Sequence, residues 1–193
     1  MPTDRILGSL EFLREAERLK GTLRSGYTST GRPESTAEHT WRLCLMALVF
    51  ADEFEDIDLL RLIKLCIVHD LGEALSGDIP AVMQTEGSNK SAQERADLKV
   101  LTRALHPEKR AEILELWEEY EAAATPEAII AKGLDKLETI LQHNQGQNPS
   151  DFDYAFNLGY GRKQTSAHPV LAEIRALLDE ETRARAEAAK SAH

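Results

Sequence analysis

From Asp4 to Leu19 the apolar positions Ile6, Leu7, Leu10 and Leu13 recur at three- and four-residue steps, which predicts an amphipathic surface helix. Lys20 to Glu34 breaks that pattern. Gly, Ser and Thr dominate it, Lys20, Arg24 and Arg32 are its basic residues, and a loop of this length is usually functional or disordered. Ser35-Thr36-Ala37-Glu38 reads as a capping box that starts a helix at about Thr36. Leu43, Leu45, Met46, Ala47, Leu48, Val49 and Phe50 cover nearly its whole circumference, predicting a central, buried helix to about Phe54 with His39 in its first turn. After the acidic patch Asp52 to Asp58, a second apolar helix runs from about Ile57 through Leu62, Ile63, Cys66 and Ile67 to His69-Asp70. Asp70 continues the Ile63–Cys66–Ile67 stripe and His69 the Leu62–Leu65–Cys66 stripe, so both side chains are expected to point inward.

Gly72 and Gly77 bracket Glu73 and favour an irregular or short helical turn, closed by Asp78-Ile79-Pro80. Glu86 to Lys90 is a polar loop, and Ser91-Ala92-Gln93-Glu94 is a second capping box opening a helix to near Leu105. Beyond His106-Pro107 another helix carries Ile113, Leu114, Trp117 and Tyr120. Thr125-Pro126-Glu127 opens a longer one, with Thr125 as cap and Pro126 at the first position. Its inward stripe is Ile130, Leu134, Leu137 and Leu141; Asp135 sits among these, and Gly133 allows a close approach. Gln145 to His168 is a Gly/Asn/Asp/Ser-rich connection whose Phe152, Tyr154, Phe156 and Tyr160 predict packing over a pocket or against a second subunit. A last helix is expected from Pro169 to about Arg183, and the 184–193 tail is expected to fray. No segment shows strand periodicity, so the expected fold is all-α, one helical domain over residues 1–183.

Composition narrows the function classes. At 193 residues the chain suits one domain with a substantial core. A net charge of −10 argues against a broad surface for nucleic acid polymers or anionic membranes, while a small anion in a locally basic pocket stays open. Cys44 and Cys66 both lie in apolar helical runs and read as free thiols in a reducing compartment. The first residues are polar, and the apolar run Leu43 to Ala51 is far short of a membrane span. The expected location is the cytoplasm.

The candidate chemistry lies in ionisable residues on faces expected to be buried: His39, His69, Asp70 and Asp135, from three helices. Singly, each has a plain structural explanation: a satisfied core histidine, a helix-end carboxylate or a buried ion pair. Together they make a two-histidine, two-carboxylate set suited to a divalent transition metal, with two positions of an octahedron left for water and substrate.

The ordered set resembles the HD-domain metal-dependent phosphohydrolase superfamily, and within it the 5′-deoxynucleotidase branch of YfbR-like and HDDC-type proteins. Arg32-Pro33-Glu34-Ser35-Thr36-Ala37-Glu38-His39-Thr40 is similar to that branch's PESVAEHS stretch, and Val68 to Pro80 to its VHDxxExxxGDIxP stretch. Leu116 to Glu121 and Leu134 to Glu138 extend the likeness, which runs from roughly Leu10 to Leu178. The resemblance implies a single all-α HD domain and one divalent metal ion (Mn, Co, Fe, Ni, Zn or Mg) held by His39, His69, Asp70 and Asp135. It also implies a homodimer that hydrolyses deoxynucleoside 5′-monophosphates to nucleoside and phosphate. Glu73 and Asp78 match acids near the metal, and Arg24 matches a substrate-contacting arginine. The branch often carries Trp shortly after that arginine; here the candidate is Tyr27.

On this reading Glu73 handles protons, Asp78 orients water or meets a sugar hydroxyl, and Arg24, then Arg32, meets phosphate. Glu73 could instead cap a helix or pair with Arg42 or Lys136. Glu138, one turn after Asp135, could support the site from behind. His106, His143, His168 and His193 fit no motif and read as structural or exposed. Two other readings stay open: an HD phosphohydrolase of different range (phosphodiester, nucleoside triphosphate or promiscuous), and a non-catalytic nucleotide-binding dimer.

Overall fold

The computed structural model describes residues 3–79 and 90–191. Pro80 and most of the expected 86–90 loop lie outside the described residues. The order is α1 (Thr3–Ala16), a 3-10 turn (Glu17–Lys20), β1 (Leu23–Tyr27), β2 (Pro33–Ser35), α2 (Thr36–Val49), α3 (Leu59–Val68), α4 (Glu73–Ser76) and α5 (Lys90–Leu101). There follow α6 (Pro107–Ala122), α7 (Pro126–Gln145), a 3-10 turn (Tyr154–Leu158), α8 (Arg162–Thr165) and α9 (Pro169–Ser191).

Helix α7 is the centre. It packs against α2, α3, α6 and α9, and Leu134, Leu137 and Ile140 on it are fully buried with Leu43, Leu62, Leu65 and Leu171 from its neighbours. Thr125 caps it, accepting from Ala128 N, and Pro126 takes a first-turn position where no donor is needed. Gly133 does admit a close approach: a Cβ there would collide with the Leu171 side chain of α9. Asp58 caps α3 by accepting from Arg61 N, so α3 runs inward and delivers His69 and Asp70 just past its last turn. Ser35 and Glu38 form the capping box that fixes the start of α2 and hence His39. Among the described residues, no helix is long and apolar enough to cross a membrane.

Several expectations change. The Lys20–Glu34 stretch contains an antiparallel hairpin pairing Leu23 with Ser35 and Tyr27 with Pro33. It shows no apolar alternation because its inward positions are Arg24, which serves a pocket, and Gly26, which faces His143 on α7. Helix α2 is buried on one face only. Leu43, Met46 and Ala47 face the core, while Leu45, Leu48 and Val49 join Trp41, 66% exposed, in an outer stripe. Likewise α1 turns Ile6, Leu7, Leu10 and Leu13 to the outside and docks through Gly8, which touches the Ala104 carbonyl, and Phe12 and Ala16, which reach the core. Ser91 lies within α5 and donates to Glu121 Oε2 at 2.8 Å, so it is no cap. The last helix continues past Arg183 to Ser191.

Candidate metal centre

His39, in the first turn of α2, is wholly buried. Its Nδ1 meets the Glu138 carboxylate, which also accepts from Arg42 Nε at 2.6 Å. His69 donates from Nδ1 to the Cys66 carbonyl at 2.8 Å. With each Nδ1 anchored, each ring turns its Nε2 the same way, the second-shell arrangement that fixes the tautomer of a metal-binding histidine. Asp70 Oδ2 lies 2.9 Å from His69 Nε2 and 3.8 Å from His39 Nε2. Asp135 Oδ1 lies 3.2 Å from His39 Nε2. The other oxygen of Asp135 is taken by the Tyr120 hydroxyl and the Lys136 ammonium, both at 2.8 Å.

Both Nε2 atoms are nonetheless buried without a hydrogen-bond partner. The 2.9 and 3.2 Å separations are within hydrogen-bond reach but their directions are not suited to one, as when donor atoms converge on a point between them. A buried unpaired nitrogen costs ~1–3 kcal/mol, and two aimed at one spot beside two carboxylates fit a cation held by nitrogen and oxygen. His39, His69 and Asp70 alone place one such atom each within 4.8 Å of one another. The electrostatics agree. Burial lowers the His39 pKa, but Glu138 and Asp135 outweigh it and lift it to about 9. Burial raises Asp135, and Lys136 and the histidines carry it well below the carboxylate range. The pocket asks for positive charge. The second buried group, Glu34, His39 and Glu138, already has its cations in Arg24 and Arg42.

Above this point opens a cavity of about 600 Å³, within the size range of small-molecule sites. Asp70, Glu73, Asp78, Asp135, Arg24 and Tyr27 all line it, with His39 and His69 buried at their backs. Arg24 is held by Thr139 Oγ1 at 3.0 Å, Glu34 at 3.5 Å and Asp70 at 3.5 Å. Burial acts against its charge, but the surrounding carboxylates raise its pKa above the ordinary arginine value. Glu73 is buried, accepts from Thr36 Oγ1 at 3.2 Å, and is pushed up to about 9 by burial and then by Asp70 and Asp78.

Arg32 does not join them. It is exposed and forks onto Glu38, with Nη2–Oε1 at 2.6 Å, because the capping box leaves that carboxylate facing the hairpin. Glu73 pairs with neither Arg42 nor Lys136, which are taken by Glu138 and Asp135. Its cation is Lys90, Nζ–Oε1 3.5 Å, which also reaches Glu94 at 3.1 Å. A Cβ at Gly72 would stand 2.7 Å from the Glu94 carbonyl, so the missing side chain lets α5 settle on the turn before α4 and brings Lys90 over Glu73. Lys90, Lys136, Thr139 and His143 also line the cavity. The signal for His143 was its place two turns beyond Asp135 on one face of α7; Lys90 had none, since a tertiary contact carries it there. Phe152, Phe156 and Tyr160 wall the cavity, so the 145–168 connection closes over a pocket.

The HD domain family matches residues 16–175. The 5′-deoxynucleotidase HDDC2 of Bos taurus is 38% identical over 138 residues, 70% of this chain and 66% of its own length. The chain thus covers about two thirds of that relative. The 5′-deoxynucleotidase hdd1 of Schizosaccharomyces pombe is 34% identical over 148 residues, 74% of each protein. The crystal structure of a predicted metal-dependent phosphohydrolase from Magnetospirillum magnetotacticum superposes with a TM-score of 0.78 at 29% identity, over 93% of this chain and 96% of that one. With its ordered histidines and aspartates meeting at one buried point and this match over most of its length, the chain belongs to the HD-domain family.

Proposed function

We propose that the protein hydrolyses deoxynucleoside 5′-monophosphates to nucleoside and phosphate, using one divalent metal ion held by His39, His69, Asp70 and Asp135. The observation that carries this reading is the pair of unpartnered Nε2 atoms converging with Asp70 and Asp135 beneath a cavity edged by Arg24, Lys90 and Lys136. The kinship with 5′-deoxynucleotidases supports the substrate class.

A bound divalent cation supplies water activation and Lewis acidity toward the phosphoryl oxygens. The chain does the rest. Arg24, fixed by Thr139 and Glu34, presents its remaining donors to the phosphate and meets charge developing on its equatorial oxygens. Lys90 and Lys136 add charge at the same edge. Glu73, whose pKa is raised by burial and by Asp70 and Asp78, is placed to pass a proton to the departing 5′-oxygen. Asp78, half-buried at the cavity edge, orients water or receives a sugar hydroxyl, and Tyr27 borders the sugar.

The same reading places a single catalytic domain over residues 1–183 in the cytoplasm, in keeping with the free Cys44 and Cys66. It also makes the protein a homodimer. Two exposed apolar stripes, Ile6/Leu7/Leu10/Leu13 on α1 and Trp41/Leu45/Leu48/Val49 on α2, are more than a monomer ordinarily leaves to water. The deciding experiment is phosphate release from deoxy- and ribonucleoside monophosphates with Mn, Co or Mg, with Asp70→Ala alongside. Metal-stimulated release lost in the variant supports the reading. Absence of release from every nucleotide, or equal release by the variant, would sink it.

A further inference from the structure

The cavity has two unlike sides. Carboxylates and cations gather on one; the other is formed by the connection after α7, through Pro149, Phe152, Phe156, Asn157 and Tyr160. The charged residues of that connection that reach the cavity are Asp151 and Asp153, which repel a phosphate. The phosphate therefore belongs with Arg24, and the uncharged remainder of the substrate belongs against this wall.

One residue on the wall is left incomplete. Asn157 is 1% exposed, its Oδ1 accepts the Nδ1–H of His143 at 3.0 Å, and its Nδ2 is buried with no hydrogen-bond partner. An unpaired buried amide costs ~1–3 kcal/mol, and such atoms are rare enough in folded proteins to call for an explanation. The residue is not free to turn and relieve it. His143 Nδ1 stands 3.0 Å from the carboxamide oxygen, and burial lowers the pKa of its ring. From behind, Arg175 Nη2 donates to the Asn157 carbonyl at 2.7 Å and the Leu158 carbonyl at 3.1 Å, and its Nη1 to the Tyr160 carbonyl at 2.6 Å. Arg175 is itself fixed by Asp179 at 2.6 Å. Aromatic rings line the same wall: Phe152 stands edge-on to His143 at 4.9 Å, and Phe156 stacks on Tyr160 at 5.7 Å.

A held donor on a wall that also carries aromatic rings suits a flat heteroaromatic ring with an acceptor on its edge. We propose that Asn157 is a specificity-determining residue for the nucleobase, its Nδ2 donating to a ring-edge keto oxygen. This rests on the nucleotide reading above. With Oδ1 committed to His143, the residue offers a donor and no acceptor, so keto edges are favoured over amino edges.

The test is calorimetric titration of the metal-loaded protein with thymidine, deoxycytidine and inorganic phosphate, for wild type and for Asn157→Leu, Asn157→Asp and Phe152→Ala. Asn157→Leu is expected to weaken thymidine about tenfold and leave inorganic phosphate unchanged. Asn157→Asp, which removes the donor, should move the preference at least about threefold toward deoxycytidine. Phe152→Ala, at a half-buried ring, should weaken both nucleosides alike. Thymidine affinity within twofold of wild type in folded Asn157→Leu overturns the proposal, as does a parallel loss of phosphate affinity. If Asn157→Leu does not fold, an unchanged base ranking in Asn157→Asp overturns it equally. Phosphate release from nucleotides with an unaltered ranking ends this inference and spares the proposed function. Base-selective binding without release under any metal does the reverse.

Discussion

The floor of the cavity and its far wall hold their working groups by opposite means. On the floor, His39, His69 and Asp135 stand on or just past regular helices, and each is fixed through a second atom of its own side chain: to Glu138, to the Cys66 carbonyl, and to Tyr120 with Lys136. On the wall, Asn157 sits in the 3-10 turn Tyr154–Leu158, and one buried arginine from α9 grips the carbonyls of Asn157, Leu158 and, just beyond, Tyr160. The floor is held mostly through side chains and the wall mostly through main chain. Floor substitutions should therefore act locally on metal and chemistry, and wall substitutions collectively on the shape offered to the nucleoside.

The largest expected effect comes from removing a floor residue outright. Asp70→Ala should lower metal-stimulated phosphate release by about 10³-fold or more, measured with saturating nucleotide. A milder cut tests whether the floor depends on the second atoms. Glu138→Gln weakens the grip on His39 Nδ1 and should reduce metal affinity about 10- to 100-fold, read by competition with a chromophoric chelator. The wall's counterpart is Arg175→Lys, which loses several carbonyl contacts and should cost roughly 2–3 kcal/mol of stability. Nucleotide KM should rise while metal affinity stays as in wild type; if metal affinity falls equally, the two regions are not separate. Glu73→Gln probes pH. The folded pKa of about 9 lies above the ordinary 4.5, so the unfolded chain releases this proton first and stability falls as pH rises between those values. The variant should lose activity yet, free of metal, melt higher than wild type at pH 8. Smallest in its effect on turnover is Trp41→Glu on the outer stripe of α2. It should halve the apparent mass in light scattering while changing kcat/KM by less than about twofold.

The same contrast explains what could be seen in the chain itself. The floor was legible because helical periodicity places His39, His69-Asp70 and Asp135 on inward faces, and because charge rarely goes inward without a partner. Tertiary contacts escaped. Lys90 reaches Glu73 only because α5 settles on Gly72. Arg32, adjacent to the motif, turned away because Glu38 offered a nearer carboxylate. The hairpin was hidden because Arg24 and Gly26 occupy its inward positions, where alternation would show apolar residues. The outer stripe of α2 misled for another reason: apolarity marks a face that needs covering without saying whether the cover is in the same chain.

Helix α7 bears Asp135, Glu138, Thr139, Gln142 and His143 along one buried line. At ~1.5 Å of rise per residue, the step from Asp135 to His143 is about 12 Å. The helix is thus a ruler, with the proposed metal ligand Asp135 at one mark and His143, the partner of Asn157, at another. A ruler tolerates a changed mark better than a changed scale. Inserting one alanine between Thr139 and Gln142 would turn His143 by roughly 100° and separate the two ends of the site, uncoupling metal binding from nucleoside binding in a protein that still holds both sets of residues.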